Sequence, residues 1–246
     1  MSLIEQSSVK NRILAALPAP EFDALAAKAL TRVELAFGQP LQRAGDKIEL
    51  VYFVENGFIS ALAMLADGQP LEIGLIGSEG LAGVSVVLGA TNSYSETMCQ
   101  TGGAAYRASA AALKEAIVEA PVLRDLLLRY VHAFNVQVAQ TAACNAHHEL
   151  GQRLARWLLA AHDRSDGAQL SLTQDLIAVM LGVGRSTVSI AASTLQRAGV
   201  IRYQHGHITI TDRAGLEAAA CECYQRVANE YRSMLGEPRH APGIPT

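Results

Sequence analysis

Short apolar runs alternate with glycine-bearing turns between position 33 and about position 107. The β-prone runs include residues 50–54, 58–60 and 84–88. They recur every ~8–12 residues, which is typical of a β-sandwich or a barrel-like roll. Asp67-Gly68 and Glu55-Asn56-Gly57 lie between such runs and predict hairpins. Ahead of this region, residues 4–30 have the spacing of short helices.

A longer pattern without Gly or Pro runs from Val122 to about His148. Its apolar residues recur every three or four positions along one narrow seam, which predicts a helix of about 25 residues. A narrow seam on a long helix favours packing against a second copy of the chain, and a plain core helix is the alternative. The predicted dimer interface consists of Leu123, Leu127, Tyr130, Phe134, Val138 and Thr141.

Residues 172–210 have the pattern of two short helices followed by a hairpin. Thr173 can cap the first helix, and a turn with two glycines separates it from a second helix that begins at Arg185 and ends before Gly199. The β-prone runs after it are residues 200–203 and 207–210. This order is typical of a winged helix-turn-helix, whose second helix enters the major groove of DNA.

The start of the second helix carries an arginine and small polar residues, which can approach base edges closely. Residues 150–246 hold ten basic side chains, all arginine, and eight acidic ones, whereas residues 1–149 hold ten and fifteen. The second part is therefore the place to look for an anionic partner, and an ordinary helical hairpin with a solvated face is the alternative. The predicted DNA-binding residues are Thr173, Gln174, Arg185, Ser186, Thr187, Ser189, Arg202, His205 and His207.

Composition narrows the class of protein. Half of the 246 residues are hydrophobic and 17% are charged, enough to build a core and too apolar for a disordered chain. The net charge of −3 excludes a globally basic nucleic-acid binder but not a locally basic domain. No apolar run approaches the ~20 residues of a membrane span, and the N-terminus has no secretion signal. We expect a cytoplasmic protein with reduced cysteines and no membrane partner.

Taken together and in this order, these features resemble the Crp/Fnr superfamily of bacterial transcription regulators over nearly the whole chain. VYFVENGFIS and IGSEGLAGVSVVLG are similar to that family's cyclic-nucleotide-binding β-roll, and LTQDLIAVMLGVGRSTVSIAASTLQRAGVI is similar to its DNA-binding signature. The resemblance implies an α+β fold with an antiparallel, jelly-roll-like β-roll as sensor at 1–120, a dimerisation helix at 121–148 and a winged helix-turn-helix at 149–246. It also implies a homodimer that reads a near-palindromic operator, with half-sites ~34 Å apart, and that contacts RNA polymerase.

The resemblance gives the cyclic nucleotide no obvious site. Aligned on Gly83, the family's ribose-binding Glu falls at Val84 and its phosphate-binding Arg falls at Tyr94; no Lys or Arg lies between positions 47 and 107. A buried phosphate without a cation is poorly stabilised. We expect an effector other than cyclic AMP, or none; cyclic-nucleotide binding by non-standard residues is the alternative. The candidate effector contacts, for which ordinary turn and surface roles are the alternative, are Glu79, Val84, Tyr94 and Ser95.

The recognition helix also departs from the family. Two positions that the family commonly fills with Glu and Arg for base contacts hold Ser186 and Ile190, while Ser189 falls where the family often contacts a base or a phosphate. We therefore expect DNA binding to an operator that differs from the family's best-known sequence. A bidentate contact of Arg185 with guanine would supply ~1–3 kcal/mol of discrimination.

No cofactor or metal is expected. One branch of the family holds an iron–sulfur cluster on N-terminal cysteines, but no Cys precedes Cys99 here. Cys221-Glu222-Cys223 and Cys144 with His147 and His148 form two local groups whose spacing fits no standard zinc site. We interpret these groups as structural, and a metal or redox site is the alternative.

Catalytic motifs are also missing from the sequence. It contains neither a nucleophile elbow before a helix nor a phosphate-binding loop. A cupin-like β-barrel enzyme is a remote alternative, but it would need a His/Glu metal set on its strands, and residues 33–107 contain no His. We expect a regulator rather than an enzyme.

Overall fold

The computed structural model describes residues 4–165, 167 and 169–237. The short helices expected at the start are present as a 3-10 turn and two α-helices, Gln6–Ser8, α1 (Arg12–Ala15) and α2 (Ala19–Lys28). Pro20 lies in the first turn of α2, where the missing N–H costs no hydrogen bond. Phe22 and Leu25 of α2 are buried, so this helix closes one side of the core that follows.

Two four-stranded antiparallel sheets form the roll, as predicted. Their strands are β1 (Thr31–Leu35), β2 (Pro40–Gln42), β3 (Leu50–Asn56), β4 (Ile59–Met64), β5 (Pro70–Ile76), β6 (Leu81–Ala82), β7 (Glu96–Cys99) and β8 (Gly103–Ser109). One sheet has the order β1-β8-β3-β6 and the other β2-β7-β4-β5. Their inner faces bury residues such as Val51, Phe53, Ile59 and Leu81 in one core.

One predicted hairpin turn and one predicted strand in the roll are wrong. Asp67-Gly68 does join β4 to β5 as a hairpin. Residues 55–57 make no hairpin, because β3 and β4 on either side of them lie in different sheets. Residues 84–88 are not a strand: Gly83 has a left-handed conformation (φ 97°) that ends β6, and Val84–Val86 form a 3-10 turn.

The long helix is present as α4 (Pro121–His147), preceded by α3 (Ala110–Glu119). The assignment of its seam to a dimer interface is wrong. Side chains enclosed by their own chain have no surface left for a partner, and the core-helix alternative holds for this face. In one chain alone, five of the six residues are buried and Val138 is partly buried against the core of the roll; the five are Leu123, Leu127, Tyr130, Phe134 and Thr141.

The next seven elements along the chain form a winged helix-turn-helix. They are α5 (Leu150–His162), β9 (Gln169–Ser171), α6 (Gln174–Leu181), α7 (Arg185–Arg197), β10 (Ile201–Gln204), β11 (His207–Ile210) and α8 (Arg213–Ala219). The sheet order is β10-β11-β9, so the predicted hairpin gains a third strand that the sequence pattern did not reveal. Trp157, Ile177, Val188 and Leu195 belong to the core of this unit.

A final helix, α9 (Cys223–Leu235), packs along α4. Tyr231 of α9 lies against Tyr130 with ring centroids 6.4 Å apart, and the Gln137 amide donates a hydrogen bond to the Tyr231 hydroxyl (3.2 Å). The roll also contacts the winged unit directly, since Phe58, Leu62 and Leu75 belong to the core that contains Trp157. The sensor-like and winged units are therefore held together by packing.

Candidate nucleic-acid interface

Local sequence fixes the turn between α6 and α7. The Thr173 side-chain oxygen accepts a hydrogen bond from the Leu176 backbone N–H (3.2 Å) and so caps α6, as predicted. Gly182 ends α6 in the left-handed conformation (φ 64°). A Cβ on Gly182 would lie 2.7 Å from Cδ1 of Leu71 in β5, so the turn rests directly on the roll.

The first turns of α7 present a polar surface. Arg185, Ser186 and Thr187 are exposed and Ser189 is partly buried, while the inward face predicted for α7 is confirmed by the burial of Val188, Ala191, Ala192 and Leu195. Gly184 occupies the N-cap and offers no side chain to the first backbone N–H groups. Free amides at a helix N-terminus favour an anion such as a phosphate.

Ile190 lies in the middle of the same surface and was not among the predicted DNA-binding residues. Its side chain is 68% exposed although it is large and apolar. Ser193 and Arg197 continue this exposed line along α7. An aliphatic side chain at this point can contact the methyl group of thymine in the major groove. The available signal was its spacing: Ile190 lies four residues after Ser186.

Within the described part of the chain, Arg185 has one weak ion-pair partner. Its Nε lies 3.5 Å from Oδ1 of Asp175 in α6, and both side chains are about two-thirds exposed (67% and 69%). Ion pairs that are this exposed contribute little stability because water screens them. The guanidinium can therefore leave Asp175 for a stronger acceptor on DNA.

The wing carries the other predicted contacts. His205 (φ 51°) and Gly206 (φ 82°) are both left-handed, as the tight turn between β10 and β11 requires. Arg202, His205 and His207 are exposed, and His207 Nδ1 lies 3.2 Å from the Ser171 hydroxyl of β9. At the start of α6, Thr173 is exposed and Gln174 is partly buried.

Several arginines of the winged unit are engaged inside the protein. Arg213 pairs with Asp163 (2.7 Å) and Glu217 (2.9 Å), and Arg153 donates to the Leu181 carbonyl (2.5 Å). The charge count of the sequence therefore overstates the cations that can face DNA. Arg185, Arg197 and Arg202 are the exposed arginines of α7 and β10.

The candidate effector residues do not share one site. Glu79 forms a buried ion pair in which it accepts a hydrogen bond from Arg164 Nε (2.8 Å), and its assignment as an effector contact stays a prediction. Burial alone would lower the pKa of Arg164, but Glu79 beside it raises that pKa above its ordinary value. Glu79 lines a cleft of about 410 Å³ between the roll, α5 and α9, which none of the other three residues lines. Val84 and Ser95 are buried and Tyr94 is exposed.

No single helix in the described ranges is long and apolar enough to cross a membrane. The pair α6 and α7 reaches the length and composition of a span only when the two helices are joined, and they are bent by 106° at the glycine turn.

Comparisons with known proteins confirm the resemblance inferred from the sequence. Residues 152–219 match the Crp-like helix-turn-helix domain family. The transcriptional regulator LdrP of Thermus thermophilus is 26% identical over 190 residues, which cover 72% of this chain and 90% of LdrP.

Solved structures of Crp/Fnr regulators share the fold. The structure of FixK2 from Bradyrhizobium japonicum superposes with a TM-score of 0.68 at 16% identity, covering 78% of this chain and 98% of FixK2. A CRP-family transcriptional regulator from Thermus thermophilus gives a TM-score of 0.63 at 21% identity, covering 76% and 96% of the two chains. The predicted α+β fold is thereby confirmed.

Proposed function

We propose that this chain, a Crp/Fnr-type transcriptional regulator with a helix-turn-helix DNA-binding domain at residues 152–219, binds a near-palindromic operator as a homodimer. The observation that carries the proposal is the exposed N-terminal surface of α7, where Arg185, Ser186 and Thr187 face solvent beside uncapped backbone amides. A helix with this surface fits the major groove. The wing residues Arg202 and His205 then lie where they can contact the adjacent phosphates.

Individual contacts follow from side-chain chemistry. Arg185 pairs with a guanine edge through its planar guanidinium, and Ile190 contacts a thymine methyl. Ser186, Thr187 and Ser189 supply hydroxyl groups to bases or phosphates. These contacts predict that each half-site of the operator contains a G and a T. The distance between these two bases should match the distance between side chains that lie one helical turn or more apart on α7.

A binding comparison tests the proposal. Operators are first selected from random duplexes with the wild-type protein, and affinities are then measured by fluorescence anisotropy at fixed salt. Arg185→Ala should weaken the selected operator by ~1–3 kcal/mol and weaken a scrambled duplex less, because base contacts specify and phosphate contacts do not. Arg43→Ala removes an equally charged, exposed side chain from the roll and should leave both affinities unchanged. Equal losses on both duplexes would reduce Arg185 to a phosphate contact, and no selected sequence at all would overturn the proposal.

The homodimer needs a face of α4 other than the buried seam. A second line of exposed positions, spaced by seven, four, three and four residues, runs along another side of that helix: Leu128, Asn135, Ala139, Ala142 and Ala146. This spacing suits a two-helix coiled coil, and its small side chains allow close approach. We assign the dimer contact to these residues.

Leu128→Glu places a charge in this line and should convert the dimer into a monomer, as measured by light scattering after size exclusion. Val118→Glu makes the same kind of change at an exposed position of α3 and should leave the dimer intact. The monomer should lose tight binding to paired half-sites but keep weak binding to one half-site, because the DNA surface of α7 is unchanged. A Leu128→Glu protein that remains a dimer would contradict the assignment.

The effector is proposed to be something other than cyclic AMP, or absent, in which case abundance alone regulates the protein. In support, Val84 is buried and apolar, and residues 48–106 supply no Lys or Arg to a phosphate inside the roll. Isothermal titration with cyclic AMP and cyclic GMP should give no binding. Micromolar binding to the roll would favour the alternative, a cyclic-nucleotide-responsive regulator with non-standard ligand residues.

The proposed role is regulatory rather than catalytic, and it places the protein in the cytoplasm with DNA and RNA polymerase as partners. RNA polymerase contact can be tested by adding the polymerase to the operator complex and measuring whether either protein raises the affinity of the other. Absence of any mutual effect would limit the protein to steric repression.

A further inference from the structure

Four side chains that the sequence left in two separate groups meet at one point. Cys144 and His148 come from the last turn of α4 and the residue after it, and Cys221 and Cys223 come from the junction of α8 and α9. One potential ligand atom from each of the four lies within 4.8 Å of every other. His147, the other histidine of the sequence group, does not belong to this cluster.

The three cysteines are not part of either large hydrophobic core. They form a small buried cluster of their own, separate from the core of the roll and from the core of the winged unit. Cysteines kept only as small apolar residues usually contact aliphatic and aromatic neighbours. Here they contact one another, with Cys144 Sγ 3.5 Å from Cys221 Sγ.

The distances suit one tetrahedral metal ion. Zinc bonds of ~2.3 Å to sulfur and ~2.0 Å to nitrogen place neighbouring ligand atoms roughly 3.5–3.8 Å apart in a tetrahedron. Cys223 Sγ lies 3.5 Å from His148 Nδ1, and the Cys144–Cys221 distance is equally short. Such a compact set fits a single ion better than an iron–sulfur cluster, whose protein ligands are divided between separate iron atoms.

Neighbouring side chains already hold two of the ligands as a metal site requires. His148 Nε2, on the side of the ring away from Cys223, lies 3.3 Å from a carboxylate oxygen of Glu222. A carboxylate on the far nitrogen fixes the ring orientation and the tautomer of a metal-binding histidine. The Gln140 amide donates a hydrogen bond to Cys223 Sγ (3.0 Å), which stabilises negative charge on that sulfur.

We propose that Cys144, His148, Cys221 and Cys223 bind one Zn²⁺ ion as a closed structural site, with Glu222 and Gln140 supporting the ligands. Three thiolates and one imidazole leave no open coordination position, so the site is structural rather than catalytic. The ion links the end of α4 to the start of α9. It therefore anchors the helix that carries the proposed dimer face to the C-terminal end of the winged unit.

Metal content provides the first test. The full-length protein, purified under anaerobic conditions from zinc-supplemented cells, should contain one zinc per chain by mass spectrometry of the metals. Cys223→Ser and His148→Ala should each lower this content to well below half. Cys99→Ser changes a buried cysteine in the roll and should leave it at one. Zinc near zero in the wild-type protein, or full zinc in a Cys221→Ser/Cys223→Ser double variant, would overturn the proposal.

Cobalt substitution reports the ligands directly. Protein stripped of zinc and loaded with Co²⁺ should show visible d–d bands of tetrahedral cobalt and a thiolate charge-transfer band, both lost in Cys223→Ser. An octahedral cobalt spectrum, or peptide mapping that finds a Cys144–Cys221 disulfide in protein purified without oxygen, would contradict the site.

A gentler variant keeps the test informative if ligand variants fail to fold. Glu222→Gln retains all four ligands but removes the carboxylate from His148, and should weaken zinc binding ~10–100-fold in competition with a chelator. Glu115→Gln, at an exposed position of α3, is the matched control and should not change zinc affinity. An unchanged zinc affinity in Glu222→Gln would show that Glu222 does not support His148 as a ligand. None of these readouts depends on DNA binding.

Discussion

At the scale of single residues, Glu72 of β5 shows how the winged unit alters the chemistry of the roll. Its carboxyl group accepts a hydrogen bond from the Trp157 indole N–H of α5 (2.7 Å) and lies beside the Ser60 hydroxyl. Burial raises the pKa of Glu72 from its ordinary value of 4.5 to about 7, although both hydrogen bonds act to lower it. The group that joins the two units therefore titrates close to neutral pH.

The raised pKa of Glu72 predicts a pH-dependent stability. Between pH 4.5 and about 7 the folded protein binds more protons than the unfolded chain, so the free energy of unfolding falls as the pH rises through this window. Glu72→Gln mimics the protonated acid: its amide oxygen can accept from the Trp157 indole N–H, and its amide N–H can donate to the Ser60 oxygen, which reverses the direction of that second bond. This variant should flatten this part of the pH profile and raise stability at pH 8 by on the order of 3 kcal/mol.

Urea unfolding at pH 5 and pH 8 measures this effect. Glu115→Gln, at an exposed site, serves as the control and should follow the wild-type profile. Parallel pH profiles for wild type and Glu72→Gln would show that the carboxyl group is already ionised at pH 5.

The sequence could predict interactions between near neighbours but not those between residues far apart in the chain. The cap of Thr173 and the left-handed Gly182 depend on neighbours within a few positions, and both were readable from the chain. Glu79 and Arg164 are 85 positions apart, and nothing local indicates that they pair. The same holds for Cys144 and Cys221, 77 positions apart. Their local spacing suggested two unrelated groups.

At the scale of elements, periodicity predicted which residues form a helix but not what covers each face. The sequence correctly grouped the apolar residues of α4 on one side of the helix. That side packs against the roll of the same chain, because α1, α3 and α9 complete the same core. A narrow apolar stripe has the same sequence whether its partner is a second chain or the same chain. Residues 84–88 show a related limit: their composition favours a strand, but Gly83 turns the chain first.

The turn between α6 and α7 allows a matched pair of glycine substitutions. Gly182→Ala and Gly199→Ala both force an L side chain into the left-handed region (φ 64° and φ 78°). The Cβ of the first would lie 2.7 Å from Leu71, whereas no atom of the residues that the structure describes lies within 4 Å of the second. Each should cost ~1–2 kcal/mol for the backbone conformation, and Gly182→Ala should cost more. Thermal or urea unfolding measures the difference.

The excess cost of Gly182→Ala isolates the contact with the roll. Adding Leu71→Ala to Gly182→Ala removes the obstructing atoms, so the double variant should lose less stability than the sum of the two single changes. Strict additivity would mean that Leu71 moves aside freely and that the turn is not held by β5.

At the scale of the whole molecule, a buried ion pair and a shared core connect the roll to the winged unit. Glu79 follows β5 in the roll and Arg164 follows α5, and both side chains are less than one-tenth exposed. The Arg164 guanidinium also lies 5.7 Å from the centre of the Tyr231 ring of α9. Three parts of the chain thus meet at one arginine.

Breaking this pair from one side should be costly. Glu79→Gln leaves the Arg164 charge buried without its closest counter-charge and should destabilise the folded protein by ~3–5 kcal/mol. A Glu79→Gln/Arg164→Gln protein removes both charges and should recover part of that loss. Urea unfolding of the two variants provides the measurement, and equal losses in both would show that desolvation of Arg164 is not the cause.

The turn between α6 and α7 packs directly on β5, and this contact has a consequence for genetic experiments. A substitution in the roll near Leu71 alters the surface against which Gly182 packs, without altering any residue that contacts DNA. Strains that lose gene control through such a lesion should regain it through second-site revertants clustered around positions 180–184, far along the chain but adjacent in space. The distribution of those revertants would map, in living cells, how the roll influences the orientation of α7.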